Sequence, residues 1–414
     1  MSKDVNRWVV LGLCFLATYV TFIGFAGTAA LIPLMLEDFH IGIGEATLFM
    51  AIPLLLCGVY SIFTGRLGDH IGPRKAVAIG LLVMGVFGGL RGVATSPAMF
   101  IILVSVAAFG IGAVWASVPK LLGTYFPPKQ YATSVAVGQV VPYDAGNFTG
   151  LAFAIPLGAA LVALSSSLFG GIWQGSFRFV GLLSILVAII WLIVIPERKG
   201  GEVSISNERR AGFWALYRDV FRVRQLWILT AAVFCYMGCI YAFVGLMPTV
   251  LTQFKGIDEA TAGFAVAVEA IVALLFEFIG GVVSDKVGLR KPFLIGLIAT
   301  SIVVCLVATR LLGGITSAWV IMAVSGIGFG LPLPLIFAMP LEMEGIGVGR
   351  AATAEGTLIC ASMIGGGVAM GIGGVILDVG ALAGYFVFLA SVFAVATILV
   401  TRLKETGWRV KTKE

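Results

Sequence analysis

The chain has 414 residues, 59% of them hydrophobic and only 12% charged, with a mean hydropathy of +1.06. Soluble domains carry roughly 45–50% apolar and 25% charged residues, so a soluble chain of this length could not hide so much apolar surface from water. This is the composition of an integral membrane protein, and the net charge of +6 reads as topology rather than as a nucleic-acid signal.

Crossing a hydrocarbon core of roughly 30 Å takes about 20 apolar helical residues. Twelve runs qualify. The first six are Trp8–Leu36, Ala46–Thr64, Ala76–Ala94, Ala98–Tyr125, Ala132–Leu164 and Ser176–Ile195. The second six are Leu226–Leu251, Ala260–Val283, Pro292–Leu312, Ser317–Pro340, Ala351–Leu377 and Ala381–Leu403. None alternates with period two, so a β-barrel is not expected and the fold class is all-α. The 54 glycines would weaken soluble helices, but in lipid small residues let backbones approach, as at Gly365-Gly366-Gly367 in the eleventh run.

Between the sixth and seventh runs lies the only long polar segment, Pro196–Gln225, with Glu197-Arg198-Lys199, Glu208-Arg209-Arg210 and then Arg218, Arg222 and Arg224. It reads as a basic tether with an interfacial amphipathic helix around Phe213–Phe221. The chain then divides into a six-helix half at 1–195, a linker at 196–225, a second half at 226–403 and a tail at 404–414. With the N-terminus in the cytoplasm, all of the 27 Lys and Arg except Arg91, Arg178, Lys255 and Arg310 fall on the inner side. Both termini are therefore expected in the cytoplasm, in a prokaryotic inner or plasma membrane. The first run is too long for a signal-peptide core, and no small-residue cleavage site follows it. Six cysteines lie inside apolar runs without a Cys-x-x-Cys pair, so neither disulfides nor a structural metal is expected.

One charged island occurs twice. Gly65-Arg66-Leu67-Gly68-Asp69-His70-Ile71-Gly72-Pro73-Arg74-Lys75 follows the second run, and Gly281-Val282-Val283-Ser284-Asp285-Lys286-Val287-Gly288-Leu289-Arg290-Lys291 follows the eighth. Gly65, Asp69, Gly72, Arg74 and Lys75 reappear 216 residues later, about half the chain. Each copy is expected to turn through its second conserved glycine, Gly72 or Gly288. The motif and its spacing resemble those of the major facilitator superfamily of secondary transporters, apart from His70 at a usually basic position and Val283 in place of Leu. That resemblance implies two pseudo-symmetric six-helix bundles and no enzymatic activity. It also implies a conformational latch, in which Gly65, Asp69 and Arg74, and Gly281, Asp285 and Arg290, hold the halves together. Asp69 would meet the start of the eleventh helix.

Charges inside the membrane are costly and demand a reason. Lys120, Arg178, Arg310 and Glu355 lie within a few residues of a helix end, where the cations can snorkel and Glu355 is shallow. Arg91 reads as snorkelling or paired. Asp144 and Glu269 are deeper, on helices that the resembling fold makes neighbours, and Glu277 follows two turns after Glu269. These three are the proton-coupling candidates. Around Asp144 the fifth run carries Gln139, Pro142, Tyr143, Gly146, Asn147 and Thr149, polarity that would be unwelcome against lipid. A Gly-Pro-Gly-Gly antiport signature is matched only poorly, by Gly150 and Pro156-Leu157-Gly158.

The resemblance makes helices 1, 4, 7 and 10 line a central cavity. It nominates Tyr19, Trp115, Lys120, Tyr143, Asn147, Tyr236 and Tyr241 as substrate-cavity candidates, and Gly326-x-Gly328-x-Gly330 with Pro332 and Pro334 as a bend in the tenth helix. An acidic, aromatic cavity suits a neutral, zwitterionic or cationic organic solute, or a monoanion moving with protons through Lys120 or Arg91, rather than nitrate. The expected function is alternating-access transport of a small organic solute with proton coupling. The alternatives are drug/proton efflux and organic-anion transport. Protons or another coupling ion and the lipid bilayer are the expected partners, with no cofactor and a monomeric state. A channel would want one continuous polar path, and a sensor a soluble domain. An ATP-driven pump would want a phosphate-binding Gly-x-x-x-x-Gly-Lys-Ser/Thr loop, which the chain lacks.

Overall fold

The computed structural model describes residues 5–41, 43–196 and 213–411. Twelve of its helices are long and apolar enough to cross a membrane. They are α1 (Arg7–Phe39), α2 (Leu48–Ile71), α3 (Pro73–Val93), α4 (Pro97–Tyr125), α5 (Pro128–Leu164), α6 (Ile172–Val194), α7 (Arg224–Phe254), α8 (Thr261–Val287), α9 (Lys291–Leu311), α10 (Ile315–Glu342), α11 (Gly347–Asp378) and α12 (Leu382–Thr401). The fold is all-helical, and each apolar run of the sequence coincides with one of these helices, overrunning it by at most two residues at either end. The polar clusters Glu197-Arg198-Lys199 and Glu208-Arg209-Arg210 lie outside the described residues. Phe213–Phe221 forms the short linker helix that its amphipathic pattern suggests.

The islands are more helical than their charge suggests. Helix α2 continues through Asp69 to Ile71 and α8 through Asp285 to Val287, each stopping only at the glycine of its island. Each chain reversal is reduced to one or a few residues. Gly72 has φ 90° and Gly288 has φ 74°, left-handed backbone that only glycine adopts freely.

The chain forms two compact units, and each takes a short piece from the far half of the sequence. The first comprises 1–125, 137–218 and 349–359; the second comprises 126–136, 219–348 and 360–414. In the first, α1 packs on α5 and α3 packs on α4 and α6. Glycine permits these approaches: a Cβ at Gly146 or Gly150 would stand 2.7 Å from the carbonyl oxygen of Tyr19 or Ile23 on α1. An aromatic core at the end remote from the first island gathers Phe49, Phe100, Trp173 and Phe177 with Leu31 and Met35. Asp38 accepts the Trp173 indole N–H there at 2.6 Å. In the second unit α8 packs on α10, and α9 and α7 both pack on α12.

Arg91 lies in the closing turn of α3, fully buried rather than snorkelling. Its guanidinium donates to the Gly88 and Gly24 carbonyls and to the Thr28 hydroxyl at 2.8–3.0 Å, and it stacks 4.2 Å from the Phe177 ring. Three oxygens and a ring face replace water around a cation that lipid would reject.

Candidate functional site

Prolines inside helices explain much of the buried polarity. Pro119 in α4 has no N–H, so the Trp115 carbonyl four residues earlier loses its helical donor. Gln139 Nε2 donates to that carbonyl at 2.9 Å. Pro142 does the same to Gly138, and the Thr18 hydroxyl donates there at 3.2 Å. Helix α5 absorbs the disturbance in one wider π turn, Ala136–Val140.

These bonds join α1, α4 and α5 around an aromatic cluster. Trp115 stacks on Tyr143 with ring centroids 4.7 Å apart and 26° between planes. Phe22, unremarked in the sequence, meets both rings edge-on at 4.9 and 4.6 Å. Trp115 and Phe22 are buried, whereas Tyr19, Tyr143, Asp144 and Asn147 are half-buried. Of the sequence candidates, Trp115 and Tyr143 are thus brought together, with Asp144 beside Tyr143 in the chain, Asn147 one turn further along α5 and Tyr19 on the neighbouring α1.

In the second unit Glu269 is 5% exposed and Glu277 fully buried, two turns apart on α8. The backbone of α10 comes so close that a Cβ at Gly326 would stand 2.6 Å from the Glu269 carbonyl oxygen. Both acids lie within electrostatic reach of Tyr236 on α7. The Tyr236 hydroxyl is engaged elsewhere: it lies 3.0 Å from the Gly328 carbonyl, which Pro332 deprives of a donor, and 2.8 Å from that of Phe329. Helix α10 breaks there, between Gly330 and Leu333. The cavity candidate Tyr236 is therefore a buried bond to the bend, while Tyr241 stays half-buried against Gly366.

Each repeated aspartate accepts backbone N–H groups near the start of another helix, Asp285 in the first turn after Gln130 and Asp69 in the second turn of α11. Asp69 Oδ2 accepts the Thr353 N–H at 2.9 Å and its hydroxyl at 2.5 Å. Asp69 Oδ1 takes the Lys120 ammonium at 2.7 Å, and that ammonium also donates to the Gly349 carbonyl. Lys120, expected to snorkel or to line the cavity, is 3% exposed. A carboxylate this close and a helix end to bridge hold it inward. Gly65 lies against the Ala352 carbonyl, where a side chain would collide. Arg74 instead donates to the Ile195 and Leu192 carbonyls at the end of α6.

The echo repeats the contact with other partners. Asp285 accepts the N–H groups of Ala132 at 3.2 Å and Thr133 at 2.6 Å, and Gly281 lies against the Ala132 carbonyl. Arg290 bridges Asp285 and Glu342, each 2.7 Å from Nη2. Burial pulls the Arg290 guanidinium down, but Glu342 and Asp285 outweigh it and hold it above its ordinary range. The tail closes over this group: Glu405 accepts the Arg290 and Lys291 N–H groups, and the Trp408 indole donates to the Asp285 carbonyl at 2.8 Å. Beside the first island, Tyr217 of the linker helix donates to the Ile62 carbonyl at 2.7 Å. Burial pushes its hydroxyl up to about 12, with Asp69 adding to the shift and Arg66 opposing it.

The Major Facilitator Superfamily model matches residues 14–258 and 250–413. The chain belongs to the major facilitator superfamily. A probable galactarate/D-glucarate transporter of Bacillus subtilis, GudP, is 25% identical over 368 residues, covering 79% of this chain and 76% of that protein. A D-galactonate transporter of Escherichia coli is 25% identical over 330 residues, 74% of each. Among solved structures, the fucose:proton symporter FucP of E. coli superposes with a TM-score of 0.77 at 16% identity over 96% of this chain and 98% of that one. Membership identifies a multi-pass membrane transporter rather than an enzyme.

Sequence reading missed Glu342, Glu405, Trp408 and Thr353, which hold the two contacts, and passed over Glu355. That residue sits in the first turns of α11 yet is 0% exposed. Its depth along its own helix says nothing of the neighbours that cover it.

Proposed function

We propose that the chain is a secondary active transporter that carries a small organic solute by alternating access, coupled to protons. The carrying observation is the Trp115–Tyr143 stack that joins α4 and α5, with half-buried Asp144 next to Tyr143 in the chain and half-buried Asn147 one turn further along α5. Ionisable groups in lipid are costly and are retained mainly where they work. Stacked aromatics and an amide suit a polar organic molecule with an apolar face. Asp144, Glu269 and Glu277 are the proposed proton carriers. The Asp69 and Asp285 contacts are the proposed latches, formed and broken in each cycle. The basic linker and loops support cytoplasmic termini; a reporter fused after Glu414 and active only outside the cell would contradict that.

A second reading narrows the solute to small organic acids. It is favoured by the galactarate/D-glucarate and D-galactonate transporters among the relatives. An acid and a proton crossing together leave little net charge to desolvate.

Purified protein in liposomes, with a pH gradient imposed, tests both. D-galactonate, D-glucarate, a neutral sugar and an organic amine are offered in turn. Accumulation of one class, abolished by a protonophore, supports coupled transport, and the class decides between the readings. Asp144→Asn and Glu269→Gln should then lose accumulation but keep exchange of labelled solute. If no organic solute accumulates or exchanges, the proposal fails.

A further inference from the structure

Residues 349–359 of α11 belong to the first unit and are seated by small residues. Ala352 lies on Gly65 and Gly356 on the Ser61 carbonyl, and the Ser61 hydroxyl donates to the Gly356 carbonyl at 2.7 Å. Thr353 is held by Asp69 and the Gly349 carbonyl by Lys120. Residues 351–359 are buried without exception.

Within this stretch Glu355 is fully buried, and neither carboxylate oxygen has a hydrogen-bond partner. At about 100° per residue it flanks the Ala352–Gly356 face, on the side away from Thr353. At this end of the surrounding elements the ionisable groups are Arg66, Asp69 and His70 on α2, Lys120 and Tyr125 on α4, Tyr217, Arg218 and Asp219 on the linker helix and Arg350 on α11 itself. Asp69 and Lys120 are taken by each other and by α11 backbone, and Tyr217 by Ile62. None of them hydrogen-bonds Glu355.

We propose that Glu355 is a proton-binding switch: protonated, it lets residues 349–359 seat on α2 and α4, and ionised, it drives them off. A neutral acid can be buried there, whereas a carboxylate would lack water, cation and donor alike. Proton binding and seating therefore favour each other. Leaving α2 would break the Thr353–Asp69 and Gly349–Lys120 bonds together, so one proton governs both contacts. The neutral form favours the seated state, so seating is complete at low pH and is lost as pH rises. The use of this switch in transport rests on the function proposed above; the switch itself does not.

Hydrogen–deuterium exchange of peptides covering 349–359, in the full chain in lipid nanodiscs from pH 5 to pH 9, tests it with no solute present. After correction for intrinsic exchange, protection of the native segment should fall by up to about tenfold per pH unit once one acid titrates. Glu355→Gln should stay protected throughout, and Glu355→Asp should keep the pH response. Glu344→Gln, an exposed acid nearby, should behave as native. Protection in the native chain that is flat with pH overturns the proposal without any variant. So does the same slope in Glu355→Gln. Absence of solute flux in liposomes would sink the transport reading and leave this result standing.

Discussion

The Asp69 and Asp285 clusters grow from one motif and solve the same problem with different charges. In both, the aspartate accepts N–H groups near the start of a helix from the far half of the sequence, Thr353 for Asp69 and Ala132 and Thr133 for Asp285. In both, a glycine one turn earlier lets backbone touch backbone. The counter-charge is not inherited. Asp69 takes Lys120 from α4, whereas Asp285 shares Arg290 with Glu342. Arg74, the positional equivalent of Arg290, leaves its aspartate for α6 carbonyls. Backbone N–H groups need an oxygen at one fixed place, so the acid repeats. A cation on a long stem needs only to reach, so its source can drift.

Removing cations should expose that difference most strongly. Arg290→Ala would leave Asp285 and Glu342 buried together with no cation, a loss of about 3–5 kcal/mol. Arg74→Ala frees two helix-end carbonyls and should cost only about 0.5–1.5 kcal/mol. Denaturant titration of the purified variants checks the pair, and equal losses would mean that the islands are held alike after all.

The acids come next. Asp69→Asn leaves the Lys120 ammonium buried beside a neutral amide and should cost about 1.5–3 kcal/mol, the range of hydrogen bonds to charged groups. Asp285→Asn should cost less, because Arg290 keeps both of its bonds to Glu342. Cysteine labelling at the first island should rise in Asp69→Asn. Unchanged labelling with normal transport would contradict the latch.

At the turns, Gly72→Ala and Gly288→Ala both force an L side chain to positive φ, about 1–3 kcal/mol each. Nothing lies near a Cβ at Gly72, but one at Gly288 would stand 2.7 Å from the Trp408 ring. Gly288→Ala should therefore melt lower and release the tail, visible as a red shift in Trp408 fluorescence in a background without the other tryptophans.

Much of this was legible in the chain. Twelve apolar runs dictate twelve helices because lipid leaves the backbone no other partner, and the repeated glycines mark the turns that the backbone makes. The prolines carried a signal that went unread: Gln139, Thr18 and Tyr236 each serve a carbonyl four residues before Pro119, Pro142 or Pro332. What could not be read was pairing at long range. Lys120 and Asp69 are 51 residues apart, Arg290 and Glu342 are 52, and Thr353 and Asp69 are 284. Helical periodicity reports which face a residue occupies, not what stands opposite. Lys120 and Glu355 were misjudged for that reason, since nearness to a helix end guarantees water only when no other helix covers the place.

The smallest effect tests the contact itself. Thr353 gives Asp69 two donors, its N–H and its hydroxyl, whereas Ala132 and Thr133 give Asp285 only backbone N–H groups. Thr353→Val keeps the β-branched shape and the backbone bond but removes the hydroxyl donor from a buried carboxylate. The expected loss is about 0.5–1.5 kcal/mol, with a matching rise in exchange at the start of α11. Thr133→Val removes no bond to Asp285 and should leave the start of α5 unchanged. A double variant, Asp69→Asn with Thr353→Val, should cost less than the two single losses added, because the hydroxyl bond is counted in both. Strict additivity would show that the Thr353 hydroxyl contributes nothing to the contact, and would leave the first island held by the same backbone donors as its echo.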